Sequence, residues 1–538
     1  MRSHPASVAE VGAADSGPHL KGSMSRDTSS APPGDAERSD LGAPGNSDAP
    51  NPDAPWLSEA ERRELSKRTP DSAIVFALAF TGLVASFMMT LMTPLLPELP
   101  HLLSSNGSPI SSTDAMWAVT ATLLSAAIFT PIGGSLGDLY GKRRIILLLL
   151  ASLVLGSVIA AFASTLIPLV IGRALQGAGI GVIPLGISVL RDVLHRDRLG
   201  KAVALVSATL GIGGAVGLPI SALISQYLDW HMLFWVSGAL GAVGFVLVYT
   251  FVPVSTLRTG GRFDLPGAIG LAFALSGILL AVTKGNEWGW TSPLTLGLGA
   301  AGIVVLALWM LYELRTPHPL IDIRVATRRT VLLTNLASVM VGFAFFSSAV
   351  ALPMLLEAPT GTGVGLGQSM LVASLCLMPS GLIMWAMSGT AARLTAARGA
   401  RISLLLGITI IAIGYLLAIV LMTEVWHTVL VATAIGFGVG FAYAAMPTLI
   451  MGAVPATETA ASNGLNSVMR TLGSTAASAV IGIVLATNLV TVGDVTTPSA
   501  QGFQLSFAIS AAAGVLGIVL TLFIPRRQPH YAAAALPE

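Results

Sequence analysis

The chain has 538 residues, 53% of them hydrophobic and only 10% charged, and its mean hydropathy is +0.77. A soluble chain would carry charge on about a quarter of its residues, so an ordinary soluble protein is excluded. A net charge of +2 argues against a nucleic-acid partner. The single cysteine, Cys376, leaves no disulfide framework and no CxxC metal site.

Residues 1–70 are rich in Ser, Pro, Gly, Asp and Ala and lack hydrophobic periodicity, which predicts a disordered cytoplasmic tail. Beyond it, apolar runs recur at about 20 residues, the length needed to cross a bilayer. Lipid cannot satisfy open backbone groups, so each run is expected to be a helix. The runs fall near 72–97, 115–137, 144–164, 167–190, 201–226 and 232–252, then 266–283 and 293–313, then 330–355, 368–391, 401–422, 428–451, 462–487 and 503–524. These fourteen spans make an all-α integral membrane protein.

Charge between the runs sets the orientation. The flank before the first run and the loops on its side hold 22 Lys and Arg residues, whereas the opposite loops hold only Lys284. Positive charge stays on the cytoplasmic side, so both termini are expected there. Arginine outnumbers lysine, a compositional hint of a GC-rich bacterial genome, and the expected location is an inner cell membrane.

The turn after the second run contains Gly134, Asp138, Gly141, Lys142 and Arg143; the turn after the tenth contains Gly389, Arg393, Arg398 and Arg401. Both read as glycine, charge, then a basic cluster. The second and tenth runs become equivalent if two six-span halves flank two extra spans, an arrangement consistent with a pseudo-twofold transporter. The expected units are 1–70 as tail, 71–257 as the N-terminal six-helix bundle, 258–314 as two inserted spans, 315–329 as a cytoplasmic linker, 330–526 as the C-terminal six-helix bundle and 527–538 as a second cytoplasmic tail.

Gly134, Leu136, Asp138, Gly141, Lys142 and Arg143 resemble the loop signature of the major facilitator superfamily, G-x-L-x-D-x-x-G-(R/K)-(R/K). The fourth run carries Arg173, Gln176 and Gly177, similar to the family's R-x-x-Q-G. An arginine at that depth is costly unless it faces protein or water. The fifth run carries Gly211, Gly213, Gly214, Gly217, Pro219 and Ser221, close to the antiporter motif G-x-x-x-G-P-x-x-G-G but with the proline one place late. Small residues at this spacing also allow close helix contact, so Gly213, Gly217 and Pro219 are read as a helix-packing motif. Trp230, His231 and Phe234, then Phe263, Asp264 and Gly267, and finally Glu313, Pro317, Pro319 and Leu320, resemble stretches of the fourteen-span drug:proton antiporter branch. In that branch the first span carries L-D-x-T-x-V-N-x-A-L-P. Here Thr90, Leu96 and Pro97 match, but Met88 stands where the embedded acid belongs.

The resemblance implies a major facilitator fold and a gate. In the family the acid of the 2–3 loop meets the N-terminus of the penultimate helix, which places Asp138 near Ser462, with Asp192 and Arg143 in the same network. A helix N-terminus favours an anion there. Gly134, Asp138, Gly141, Lys142, Arg143 and Asp192 are therefore the expected gating residues, and Thr90, Arg173, Gln176 and Arg470 the expected substrate or coupling residues. Arg470 follows Asn463, Asn466 and Ser467 at helical spacing. Phe87, Met89 and Met92, Asn335, Phe343 and Phe346, and Phe437, Phe441 and Tyr443 are expected to line a cavity, since Met and aromatic faces suit varied ligands.

Neither Gly-Lys pair, 141–142 or 200–201, belongs to a phosphate-binding loop, and no HExxH or nucleophile motif occurs. The chain is therefore expected to be a transporter rather than a pump or an enzyme, with no cofactor and no metal. Its reading is a monomeric exporter of small amphiphilic compounds among membrane lipids. Without an embedded carboxylate, a buried cation would lack a partner, so neutral or anionic substrates are expected. Proton coupling stays open at Met88: it is either absent or routed through Asp138, Asp114 or Glu98. A lipid or metabolite facilitator without proton antiport, and a scaffold without transport, stay open as alternatives.

Overall fold

Among the described residues, fourteen helices are long and apolar enough to cross a membrane. We label them α1 (Asp71–Thr90), α2 (Trp117–Tyr140), α3 (Lys142–Ala161), α4 (Leu166–Val193), α5 (Asp197–Tyr227), α6 (Met232–Phe251), α7 (Leu265–Gly285), α8 (Pro293–Glu313), α9 (Arg329–Glu357), α10 (Met370–Arg398), α11 (Ala400–Val420), α12 (Val425–Met451), α13 (Ala456–Thr487) and α14 (Ala500–Leu522). This computed structural model describes residues 70–92, 95, 99–104, 111–254, 261–492 and 495–525. They lie in one contact unit, Pro52–Glu538; the other, Met1–Asn51, is outside the described residues, as are the expected tails and the positions of Leu96, Pro97, Glu98 and Asp494.

Local chemistry places the helix ends. Asp264, Ser292, Ser369 and Ser499 cap α7, α8, α10 and α14, each accepting a first-turn backbone N–H. One residue alone separates α2 from α3 and α10 from α11. In both places it is a glycine at positive φ, Gly141 at 105° and Gly399 at 89°, a backbone that L side chains rarely adopt. The two halves thus share a one-residue glycine break at equivalent positions.

Three expectations about element ends change. The first run was expected to reach residue 97, but α1 stops at Thr90, as the approach of Pro94 and Pro97 demands. Gly134 to Tyr140 are helical rather than a turn, and α2 yields only at Gly141. The tenth run also continues, bending at Met387 and ending at Arg398, so Gly389 and Arg393 are helical. One small departure from all-α structure lies between α13 and α14: an antiparallel hairpin of β1 (Leu489–Val492) and β2 (Val495–Pro498).

α1 packs on α5, α2 and α3 on α4, and α3 on α6; in the second half α9 packs on α13 and α14, and α11 on α12 and α14. Across the halves, α2 meets α13 and α5 meets α10. The inserted helices pair with each other, and α7 also touches α2 and α13, so the insert lies against the seam. α8 buries the smallest share of the fourteen, and its exposed Leu, Ile and Val face lipid.

Glycines allow the tightest of these contacts. A Cβ on Gly213 would lie 2.5 Å from Ser86 Cβ, and one on Gly217 would collide with Thr90 Oγ1. The motif read in the fifth run therefore seats α1 against α5. Ser86 and Ser221 reinforce it, donating to the Leu210 and Leu91 carbonyls. Pro219 lies inside α5.

Candidate functional site

The side bearing Lys142, Arg143 and Arg144, here the basic side, is closed by polar contacts between the halves. Asp138 is 4% exposed near the end of α2, and its Oδ2 accepts the Ala461 N–H at 3.0 Å, in the first turns of α13. The contact falls one residue before Ser462. Lys142 begins α3, 1% exposed, with Nζ 3.6 Å from Asp138 Oδ1 and 2.6 Å from Asp192 Oδ2. One ammonium thus compensates two buried carboxylates. A Cβ on Gly134 would lie 2.7 Å from the Ala460 carbonyl oxygen, so this glycine lets the two backbones touch.

Arg143 does not join Asp192, contrary to the expectation. It sits in the first turn of α3 on a face that turns it outward, where Nη2 donates to the Tyr249 carbonyl at 2.5 Å and the guanidinium lies 5.4 Å from the Tyr249 ring. The residue that the sequence reading missed is Arg191. It reaches from α4 across the seam, donating to Thr459 Oγ1, to the Pro455 carbonyl at 3.3 Å and to the Val454 carbonyl at 3.2 Å. Its available signal was a basic residue beside Asp192 at the end of a span.

Above this closure lies a cavity between α4, α5, α12 and α13, lined by Ile183, Ser207, Tyr443, Asn463, Asn466 and Arg470 among others. Its free volume is about 20 Å³, room for one water. The polar stripe expected on α13 faces it. Asn466 Nδ2 donates to Asn335 Oδ1 at 2.9 Å and to Ser338 Oγ at 2.7 Å, tying α13 to α9. Arg470 donates to Ser467 Oγ at 3.0 Å and lies 4.7 Å from the Tyr443 ring centre. A guanidinium carries five donors, and the others of Arg470 are uncommitted among the described residues. Among the described residues, no Asp or Glu lines the cavity.

Arg173 and Gln176 lie elsewhere, walled into the first half. Arg173 is fully buried, donating to the carbonyls of Met88 at 3.1 Å and Ala118 at 3.3 Å and to Gln176 Oε1 at 2.8 Å. Gln176 in turn donates to Ser157 Oγ at 2.8 Å. This chain bolts α1, α2, α3 and α4 together. Met88, in the place of the family's acid, meets the guanidinium through its backbone, while Arg173 Nη2 has no hydrogen-bond partner among the described residues. Thr90 donates to the Phe87 carbonyl of its own helix and abuts Gly217. Neither Thr90, Arg173 nor Gln176 lines the cavity.

Of the residues expected around a cavity, Tyr443 lines this one, and Asn335 reaches it through Asn466. Phe87 and Met92 belong instead to an apolar core with Trp230 and Phe234. On that opposite side, His231 sits between Asp229 at 2.5 Å and the Ala163 carbonyl at 3.1 Å, joining α6 to the end of α3. The His231 backbone N–H holds the Asp229 carboxyl below the usual range.

Two helical halves with a shared glycine break, a cavity at their seam and a polar closure on one side define a multi-pass membrane transporter. The chain belongs to the Major Facilitator Superfamily, whose family model matches residues 78–477, and whose members are transporters rather than enzymes. It is similar to multidrug resistance protein Stp of Mycobacterium tuberculosis, 27% identical over 375 residues that cover 69% of this chain and 68% of Stp. Multidrug resistance protein 3 of Bacillus subtilis is 26% identical, with coverage of 68% and 72%. Among solved structures, the human organic anion transporter MFSD10 and the proton:xylose symporter XylE each superpose with a TM-score of 0.59 at 15% identity. Each comparison covers 84% of this chain, with 99% of MFSD10 and 95% of XylE. At that identity the likeness concerns the fold.

Proposed function

We propose that this transporter exports small amphiphilic compounds, neutral or anionic, through alternating exposure of the cavity that holds Arg470. The observation that carries the substrate class is Arg470 itself: a planar cation with free donors beside Tyr443, in a cavity without a carboxylate. Such a fork suits carboxylate, phosphate or polarised carbonyl groups. The two bacterial relatives named for multidrug resistance support export of drug-like molecules. Asp138, Lys142, Asp192 and Arg191 act as the gate, with Gly134 and Gly141 as its close contact and hinge. The chain works as a monomer among lipids.

The test is efflux from vesicles containing purified protein, comparing quaternary ammonium dyes with a neutral and anionic panel. Preferential export of the panel is expected; efficient export of the dyes alone would sink the substrate class.

The termini are proposed to be cytoplasmic and the membrane to be the bacterial inner one, supported by the 22-to-1 loop charge bias. Reporter fusions at residue 538 and in the 98–114 loop should report opposite sides. Both on one side would overturn this orientation.

A further inference from the structure

The inserted helices carry a pair of buried acids that the gate and the cavity do not use. Asp264 precedes α7 and is 7% exposed; Glu313 ends α8 and is 2% exposed. Asp264 Oδ1 caps α7, accepting the Gly267 N–H at 2.8 Å and the Tyr312 hydroxyl at 3.0 Å. Its Oδ2 and both carboxyl oxygens of Glu313 are buried without a hydrogen-bond partner among the described residues.

These free oxygens converge. A Cβ built on Gly267 would collide with both Asp264 Oδ2 and Glu313 Oε1, so the two free oxygens border the same point beside Gly267. Trp309 fixes Gly267 there by donating from its indole N–H to the Gly267 carbonyl at 2.8 Å.

No Lys, Arg or His is paired with the two acids among the described residues; Arg324 comes to the Leu314 carbonyl next to Glu313, at 3.1 Å. The apolar cluster beside the pair contains Phe263, Ala268 and Trp309. The linker after α8 contributes Leu320 and Ile321, whose backbone N–H groups, with the Trp309 indole, are the polar groups around Glu313. Tyr312 is the other titratable group facing the pair.

We propose that Asp264 and Glu313 form a proton-binding site in the inserted helices, with one proton shared between Asp264 Oδ2 and a carboxyl oxygen of Glu313. Two like charges at such spacing in an apolar shell cannot both stay ionised. One proton from the basic-side solution turns the repulsion into a charge-assisted hydrogen bond, which are among the strong ones. The bond ties the start of α7 to the end of α8. Because α7 touches α2 and α13, the helices that meet at the gate, the site is placed where its occupancy bears on closure. The inference does not rest on the export reading or on any substrate.

Infrared spectroscopy of the full chain in vesicles, with pH stepped in choline chloride and then in sodium chloride, tests the site without a transport assay. The wild type should show a protonated-carboxyl C=O stretch that titrates and shifts in heavy water. That band should be lost in both Glu313→Gln and Asp264→Asn, which preserve side-chain shape. In the wild type the native state holds a proton that the unfolded chain has released, so the site's contribution to thermal stability falls as pH rises. That fall should vanish in Glu313→Gln. Three results would overturn the proposal: no titrating carboxyl band in the wild type, the same band in both variants, or a band that sodium removes at fixed pH, which would mark a metal-cation site instead.

Discussion

Export of an anionic amphiphile should fall by one to two orders of magnitude in Arg470→Ala, measured as initial efflux rate at low substrate concentration in vesicles. A hydrogen bond to a charged partner contributes about 1.5–3 kcal/mol, and a tenfold change in rate corresponds to about 1.4 kcal/mol. Among the described residues Arg470 is the one charged residue lining the cavity, so no neighbour there compensates its loss. Neutral substrates should be affected much less, since Tyr443 and the apolar wall remain. Arg470→Lys keeps the charge but loses the planar fork and its stacking on Tyr443, and should fall between. Arg173→Ala should behave differently: it removes the bolt between Met88, Ala118 and Gln176, and should lower folded yield for every substrate alike. Unchanged anion export in Arg470→Ala would remove the basis of the substrate class.

Asp138→Asn should slow transport at least about tenfold while expression stays intact. The carboxylate meets the backbone N–H of Ala461 at a helix start, where an anion gains up to about 2 kcal/mol in a partly buried setting. It also balances Lys142, whose ammonium is buried between two acids. Asparagine retains an acceptor for Ala461 but drops the charge, so the closed basic side loses roughly 30-fold in relative population at about 2 kcal/mol. Lys142 keeps Asp192 at 2.6 Å, which is why the fold should survive. Thiol labelling from the basic side of a cysteine placed at residue 467, which lines the cavity above the closure, in a chain with Cys376 replaced, reports the same equilibrium directly and should speed up in Asp138→Asn. Wild-type turnover with unchanged labelling would show that Asp138 does not hold the gate.

Helix number was legible in the sequence because it rests on a one-dimensional signal: fourteen apolar runs follow from what lipid demands of a backbone. The contact of Asp138 with the start of α13 was legible only through the resemblance carried by Gly134, Gly141, Lys142 and Arg143. The helix-packing role of Gly213 and Gly217 was legible as well, since small residues every fourth position mark one helix face. What the two arginines do was not legible. Arg173 and Arg470 both read as charges within a span, but one is enclosed by the carbonyls of α1 and α2 and the other opens onto the seam. Which side chain satisfies a buried charge depends on helices far apart in the chain, and spacing along one helix carries no information about them. The same holds for Arg191, whose partners lie more than 250 residues away, and for Asp264 and Glu313. These two read as separate motif residues at the ends of two spans; only the antiparallel pairing of α7 and α8 brings their free oxygens together over Gly267.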